Sequence, residues 1–194
     1  IKCPELVVKL VETRKYRVRV LLTCGGENFW NKSIGYNKTY WDQMCDLVHT
    51  GVVNIYTSSD EWSGWNQIGD PVLHIDLRDW AHILLVAPLS AHSLAKFATG
   101  LCDDTLSCVV RAWDFIAKPL LLAPAMNTHM YLHPLTKEQL DKLITWGNVS
   151  IIQPQVKTLA CGQTGNGALA SVDTILVATK NASQSVIYQN QTSL

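Results

Sequence analysis

Histidine and cysteine are the residue types here most able to move protons or hold metals, and the chain has six of each. His82, His92, His129 and His133 stand in no compact HxH or HExxH spacing with partner carboxylates, so the sequence predicts no metal site. Cys3, Cys24, Cys45, Cys102, Cys108 and Cys161 form no CxxC pair and lack the density of a disulfide scaffold, which predicts reduced thiols. What remains is a set of single groups. His74 carries an imidazole, a side chain of the type that can take a proton in general base catalysis. Asn127 offers a neutral amide able to orient an anion without stabilising it as a cation would. Ser90 and Ser93, flanking Ala91 and His92, place hydroxyls beside an expected helix start, a setting that suits a polar ligand or phosphate. Cys161 lies among Gly162, Gly165 and Gly167. Each also has an ordinary structural reading: a histidine before a short helix, an Asx turn, an N-cap, and a cysteine in a flexible surface loop.

The elements that carry these groups follow from hydrophobic patterning. Residues 17–23 (RVRVLLT) read as a first strand running into a turn at Cys24-Gly25-Gly26. Residues 27–50 give no assignment, and 52–56 alternate as a strand. Residues 60–71 have the composition of a surface connection, followed by a short helix over 75–81. HILLVA (82–87) and PLLLA (119–123) are almost continuously apolar, as parallel strands covered on both faces are. Between them, 90–99 has helical spacing with Gly100 as its stop, and 105–113 forms a second amphipathic stretch. Thr136 with Gln139 reads as a capping box opening a helix to Trp146, and 149–153 as a further strand. Alternating strands and helices predict an α/β doubly wound parallel sheet, flavodoxin-like or Rossmann-like in three layers, with helices on both faces. Ligands of such sheets bind beyond the carboxyl ends of the strands, which directs attention to the loops 88–93, 124–130 and 160–170.

Composition narrows the partners. With 16 basic and 16 acidic residues there is no general attraction to nucleic acid or an anionic membrane surface, and the longest apolar runs are too short to span a bilayer. The five N-x-S/T sequons, at Asn31, Asn37, Asn148, Asn181 and Asn190, read as chance. Beginning at Ile1 without a basic-then-apolar signal pattern, the chain reads as a fragment or trimmed product rather than a secreted precursor. One domain over 1–194 is expected, with flexible tails at 1–16 and 181–194.

Several motifs occur in order between Val52 and Val177: HIDLR (74–78), APLSA (87–91), GLCD (100–103), RAWD (111–114), PAMN (124–127), LACG (159–162) and GNGA (165–168). Together they resemble the homo-oligomeric flavin-containing cysteine decarboxylases, and among these the phosphopantothenoylcysteine decarboxylases and their plant halotolerance relatives. The resemblance implies FMN as cofactor and phosphopantothenoylcysteine as substrate, converted to phosphopantetheine in coenzyme A synthesis. It further implies a cytoplasmic homotrimer with active sites between subunits, and no nucleic-acid or membrane partner. A flavin has its own physical rationale, because decarboxylating an N-acyl cysteine leaves a carbanion without an electron sink.

By the same resemblance His74 and Cys161 are catalytic, His74 acting on the substrate thiol and Cys161 protonating the enethiol from a mobile covering segment. Asn127 holds the substrate carboxylate. Ser90, Ala91, His92, Ser93, Ala125 and Met126 line the cofactor, although Met126 is equally a core filler by type. Arg78 and Arg111 read as ion-pair partners, and Cys102 and Cys108 as packing residues. Two departures stand out. His92 occupies the place of the family's asparagine. Residues 24–51 diverge, with Cys24-Gly25-Gly26-Glu27-Asn28 replacing the family's Gly-Ser-Val-Ala phosphate loop, so the phosphate is expected to lose a hydroxyl donor and to meet an unfavourable Glu27. A second reading is therefore a catalytically weak or inactive member acting as a regulatory binding subunit, and a third is a peptide cysteine decarboxylase.

Overall fold

Residues expected as a flexible tail instead form the first helix, α1 (Cys3–Glu12), in the computed structural model, which describes residues 1–158 and 164–192. Pro4 sits in its first turn, where the missing amide hydrogen costs nothing. Leu6, Val7, Val8 and Leu10 are buried along one face, an amphipathic signal that was available in the sequence. The contacts divide the chain into two compact units, Ile1–Leu77 with Asp103–Val109, and Arg78–Cys102 with Val110–Leu194.

In the first unit, β1 (Val18–Leu22) pairs in parallel with β2 (Val53–Thr57), from Val18 opposite Val53 to Leu22 opposite Thr57. The connection holds α2 (Cys24–Asn31) and α3 (Lys38–His49); α3 and the end of α2 lie in the stretch 27–50 that carries no assignment from sequence. The expected turn at Cys24-Gly25-Gly26 is the start of α2, because the Thr23 side chain caps it by accepting from the Gly26 amide at 3.1 Å. Asn37 caps α3 in the same way through the Tyr40 amide. Val7 and Val8 of α1, Leu22, Trp30, Met44 and Val53 form the core of this unit. Trp30 and Trp41 join α2 to α3 with ring centroids 6.3 Å apart. After β2 a single 3-10 turn leads into the surface connection, and α4 (Leu73–Trp80) begins at its far end.

The second unit is built on three parallel strands in the order β3 (Leu84–Leu89), β4 (Leu120–Pro124), β5 (Val149–Ile151). β3 starts two residues later than the apolar run suggested. Every residue of β4 is buried, as a central strand covered on both faces requires. α5 (Ala91–Thr99) starts on the Ser90 cap and ends at Gly100, whose φ of 76° is the left-handed conformation glycine favours. α6 (Thr105–Arg111) follows, divided between the two units.

α7 (Thr128–Leu132) and α8 (Pro134–Ile144) succeed β4. α8 opens two residues before the expected capping box: His133 is its cap and Pro134 takes the first helical position, while the buried Thr136 hydroxyl donates to the Met130 carbonyl at 2.5 Å. β6 (Gln155–Thr158) and β7 (Thr164–Ala168) form an antiparallel pair, β7 lying within the stretch 160–170 expected as a loop. α9 (Val172–Thr192) buries Val172 and Ile175 near its start and continues through the region expected as a tail from residue 181, with no glycine or proline to stop it. Among the described residues, no helix is long and apolar enough to cross a membrane.

Candidate active site

The carboxyl ends of β3 and β4 bring one group of expected residues together. Beyond β3, Ser90 Oγ accepts from the Ser93 amide and donates to Ser93 Oγ, both at 3.1 Å. Ala91 and the exposed His92 occupy the first turn of α5, whose amides no intrahelical carbonyl can reach. Beyond β4, the Ala125 amide donates to the Leu89 carbonyl at 2.9 Å, which ties the two post-strand loops. The Met126 amide donates to the Gly167 carbonyl, also at 2.9 Å, which ties the β6–β7 pair to the same corner. Asn127 caps α7, its Oδ1 accepting from the His129 amide at 2.8 Å. The cap uses the oxygen of the carboxamide, while its Nδ2 is by type a donor, the polarity a carboxylate needs. The Asx-turn and ligand-binding readings of Asn127 are thus compatible.

Gly165 and Gly167 have a steric role here. A Cβ at Gly165 would lie 2.4 Å from Thr128 Oγ1, and one at Gly167 would lie 2.4 Å from the Met126 carbonyl oxygen. Only bare backbone comes this close. Among the described residues the buried Thr128 hydroxyl has no hydrogen-bond partner. Cys161 and Gly162 lie outside the described residues.

His74 is in the first unit, in the first turn of α4, with its side chain 22% exposed. Its Nδ1 lies 2.5 Å from Oε1 of Glu61, which is 7% exposed, and among the described residues the buried Glu61 Oε2 has no partner. Glu61 is a residue the sequence reading passed over. Its one available signal was position: it lies just past the carboxyl end of β2. The turn that delivers it is closed by Asp60 Oδ2, which accepts from the Thr57 amide at 2.6 Å and from Thr57 Oγ1 at 2.8 Å. The connection onward to His74 is braced by Asp70, whose carboxylate accepts from the amides of Asn66 and Gln67 and is held below the usual carboxylate range by them. At the end of β1, Thr23 supplies a hydroxyl where the sequence suggested none, while Glu27 is exposed in the first turn of α2.

Arg78 has the structural role expected, with Nε donating to the Ala112 carbonyl at 2.9 Å and Nη1 paired to Asp79 at 2.5 Å. Cys102 is exposed rather than packed. Among the described residues no three His, Cys, Asp or Glu side chains are placed to hold a metal ion.

The Flavoprotein family pattern matches residues 1–183. A phosphopantothenoylcysteine decarboxylase of Mus musculus is 45% identical over 177 residues, 91% of this chain and 78% of that protein. Among solved structures, a PPC decarboxylase mutant complexed with pantothenoylaminoethenethiol is similar with a TM-score of 0.76 at 42% identity, covering 92% of this chain and 88% of the other. The FMN binding protein AtHal3 gives 0.75 at 42% identity, covering 95% and 90%. Against plant phosphopantothenoylcysteine decarboxylases from Arabidopsis thaliana, Malus domestica and Oryza sativa, identity rises to 54–58% over 118–123 residues, but the chain spans only 54–58% of their length. The doubly wound, flavodoxin-like α/β class expected from the sequence is the class of these structural neighbours.

Proposed function

The chain belongs to the Flavoprotein family, and on that premise we propose that it binds FMN and decarboxylates 4'-phosphopantothenoylcysteine to 4'-phosphopantetheine, a step of coenzyme A synthesis. The observation that carries this reading is the corner at the ends of two parallel strands, where main-chain hydrogen bonds tie Ala125 to Leu89, the residue before the Ser90 cap, and Met126 to Gly167. That is where ligands of such folds bind, and a relative of matching fold is complexed with pantothenoylaminoethenethiol.

The groups present suit a flavin nucleotide. Neutral hydroxyls and first-turn amides at Ser90–Ser93 match the polar edge of such a ligand. Bound there, FMN supplies the two-electron oxidation and the return reduction that loss of carbon dioxide from an N-acyl cysteine requires. The protein's share is positional. Asn127 Nδ2 donates to the substrate carboxylate and orients it, His74 takes the thiol proton, and Cys161 returns a proton to the enethiol. We further infer a homotrimer acting in the cytoplasm.

Visible absorption of the purified protein, before and after adding FMN and removing the excess, tests the first half of this reading, and carbon dioxide release from phosphopantothenoylcysteine tests the second. A retained flavin spectrum with release is expected. No retained flavin makes the non-catalytic binding reading the better one. Asn127→Asp places a negative charge against the substrate carboxylate and is expected to abolish turnover, and retained turnover would remove that role from Asn127.

A further inference from the structure

The buried carboxylate of Glu61 carries an inference about how His74 works. Among the described residues its side chain has one hydrogen-bond partner, His74 Nδ1 at 2.5 Å, and its second oxygen has none. An ionised carboxylate only accepts, so the proton of this contact lies on Nδ1 and the lone pair of the imidazole lies on Nε2. A buried carboxylate with a single partner is costly unless a positive charge faces it. The imidazole becomes that charge when it takes a proton.

We propose that Glu61 is a positioning residue for His74: it fixes the tautomer with Nε2 as the proton acceptor and balances the imidazolium formed when Nε2 takes the proton of a substrate thiol. The thiol S–H bond breaks, its electron pair stays on sulfur, and the new N–H bond leaves the imidazolium between thiolate and carboxylate. Rigid delivery supports the assignment, since Asp60 binds the last residue of β2 immediately before Glu61 and Asp70 braces the path to α4. The inference rests on the decarboxylase reading only for the identity of the thiol.

Nitrogen NMR of the full chain with 15N-labelled histidine, His74 being assigned by its absence in His74→Asn, reads the tautomer without any turnover. Protonated Nδ1 and unprotonated Nε2 are expected in the wild type, with that preference relaxed in Glu61→Gln, whose amide can both donate and accept. The opposite tautomer in the wild type would overturn the proposal, and because this arm needs no variant it decides even where Glu61→Gln fails to fold. In steady-state assays Glu61→Gln should lower kcat about 100-fold with KM unchanged, Glu61→Asp should recover part of the loss, and adding Glu61→Gln to His74→Asn should lower kcat no further. An unchanged kcat, or a further loss in the His74→Asn background, would overturn it. A wild type that releases no carbon dioxide refutes the decarboxylase reading and leaves the tautomer measurement to judge Glu61.

Discussion

At Gly167 a Cβ would sit 2.4 Å from the Met126 carbonyl oxygen on a backbone with φ of 117°, whereas at Gly25 it would meet nothing within 4 Å. Both glycines lie near strand ends and both read as flexible punctuation in the sequence, but only one corner depends on having no side chain. In the second unit β7 lies directly against the loop that presents Asn127, so the loop's path is set by how closely two backbones approach. In the first unit Gly25 and Gly26 are the opening turn of α2, where the Thr23 cap and not the glycines sets the geometry. A side chain can be added where a cap holds the chain and not where two backbones are in close contact.

Substitutions can break or sharpen this contrast. Gly167→Ala combines a left-handed backbone with a hard contact and should cost about 3 kcal/mol or more, lowering Tm by roughly 6–12 °C in a chain of this size; a shift below about 2 °C would erase the distinction. Ser90→Ala and Thr23→Ala each remove an N-cap and should cost about 1 kcal/mol in urea unfolding. Equal losses would mean that the Thr23 corner is capped as firmly as the Ser90 corner. Gly25→Ala is the smallest change and of opposite sign, a gain of about 0.5–1 kcal/mol from placing alanine inside a helix with open space around it. Destabilisation there would mean that glycine is needed at both corners.

The sequence was most legible where one local device sets an element. Ser90 and Gly100 mark both ends of α5, and the continuous apolar run of β4 announces its burial. It was less legible where a local signal competed with a better one nearby. The start of α8 is set by His133 and Pro134, and Thr136, read as a cap, turns inward to the Met130 carbonyl. The apolar face of α1 is legible in its residues, although terminal segments are often unstructured. Contacts between residues distant in sequence were invisible. Glu61 meets His74 across 13 positions, and Gly165 and Gly167 meet the Met126–Thr128 loop across more than 35; no periodicity or cap encodes either approach.

The amides of Ala125 and Met126 are neighbours in sequence but donate to different elements, one to the Leu89 carbonyl at the end of β3 and one to Gly167 in the β6–β7 pair. They are therefore adjacent clocks for two separate openings. In native-state hydrogen–deuterium exchange the Ala125 proton is released by events that part β3 from β4, and the Met126 proton by events that lift the antiparallel pair. Their ratio of protection factors measures how far the cover over Asn127 moves on its own, residue by residue and without a ligand.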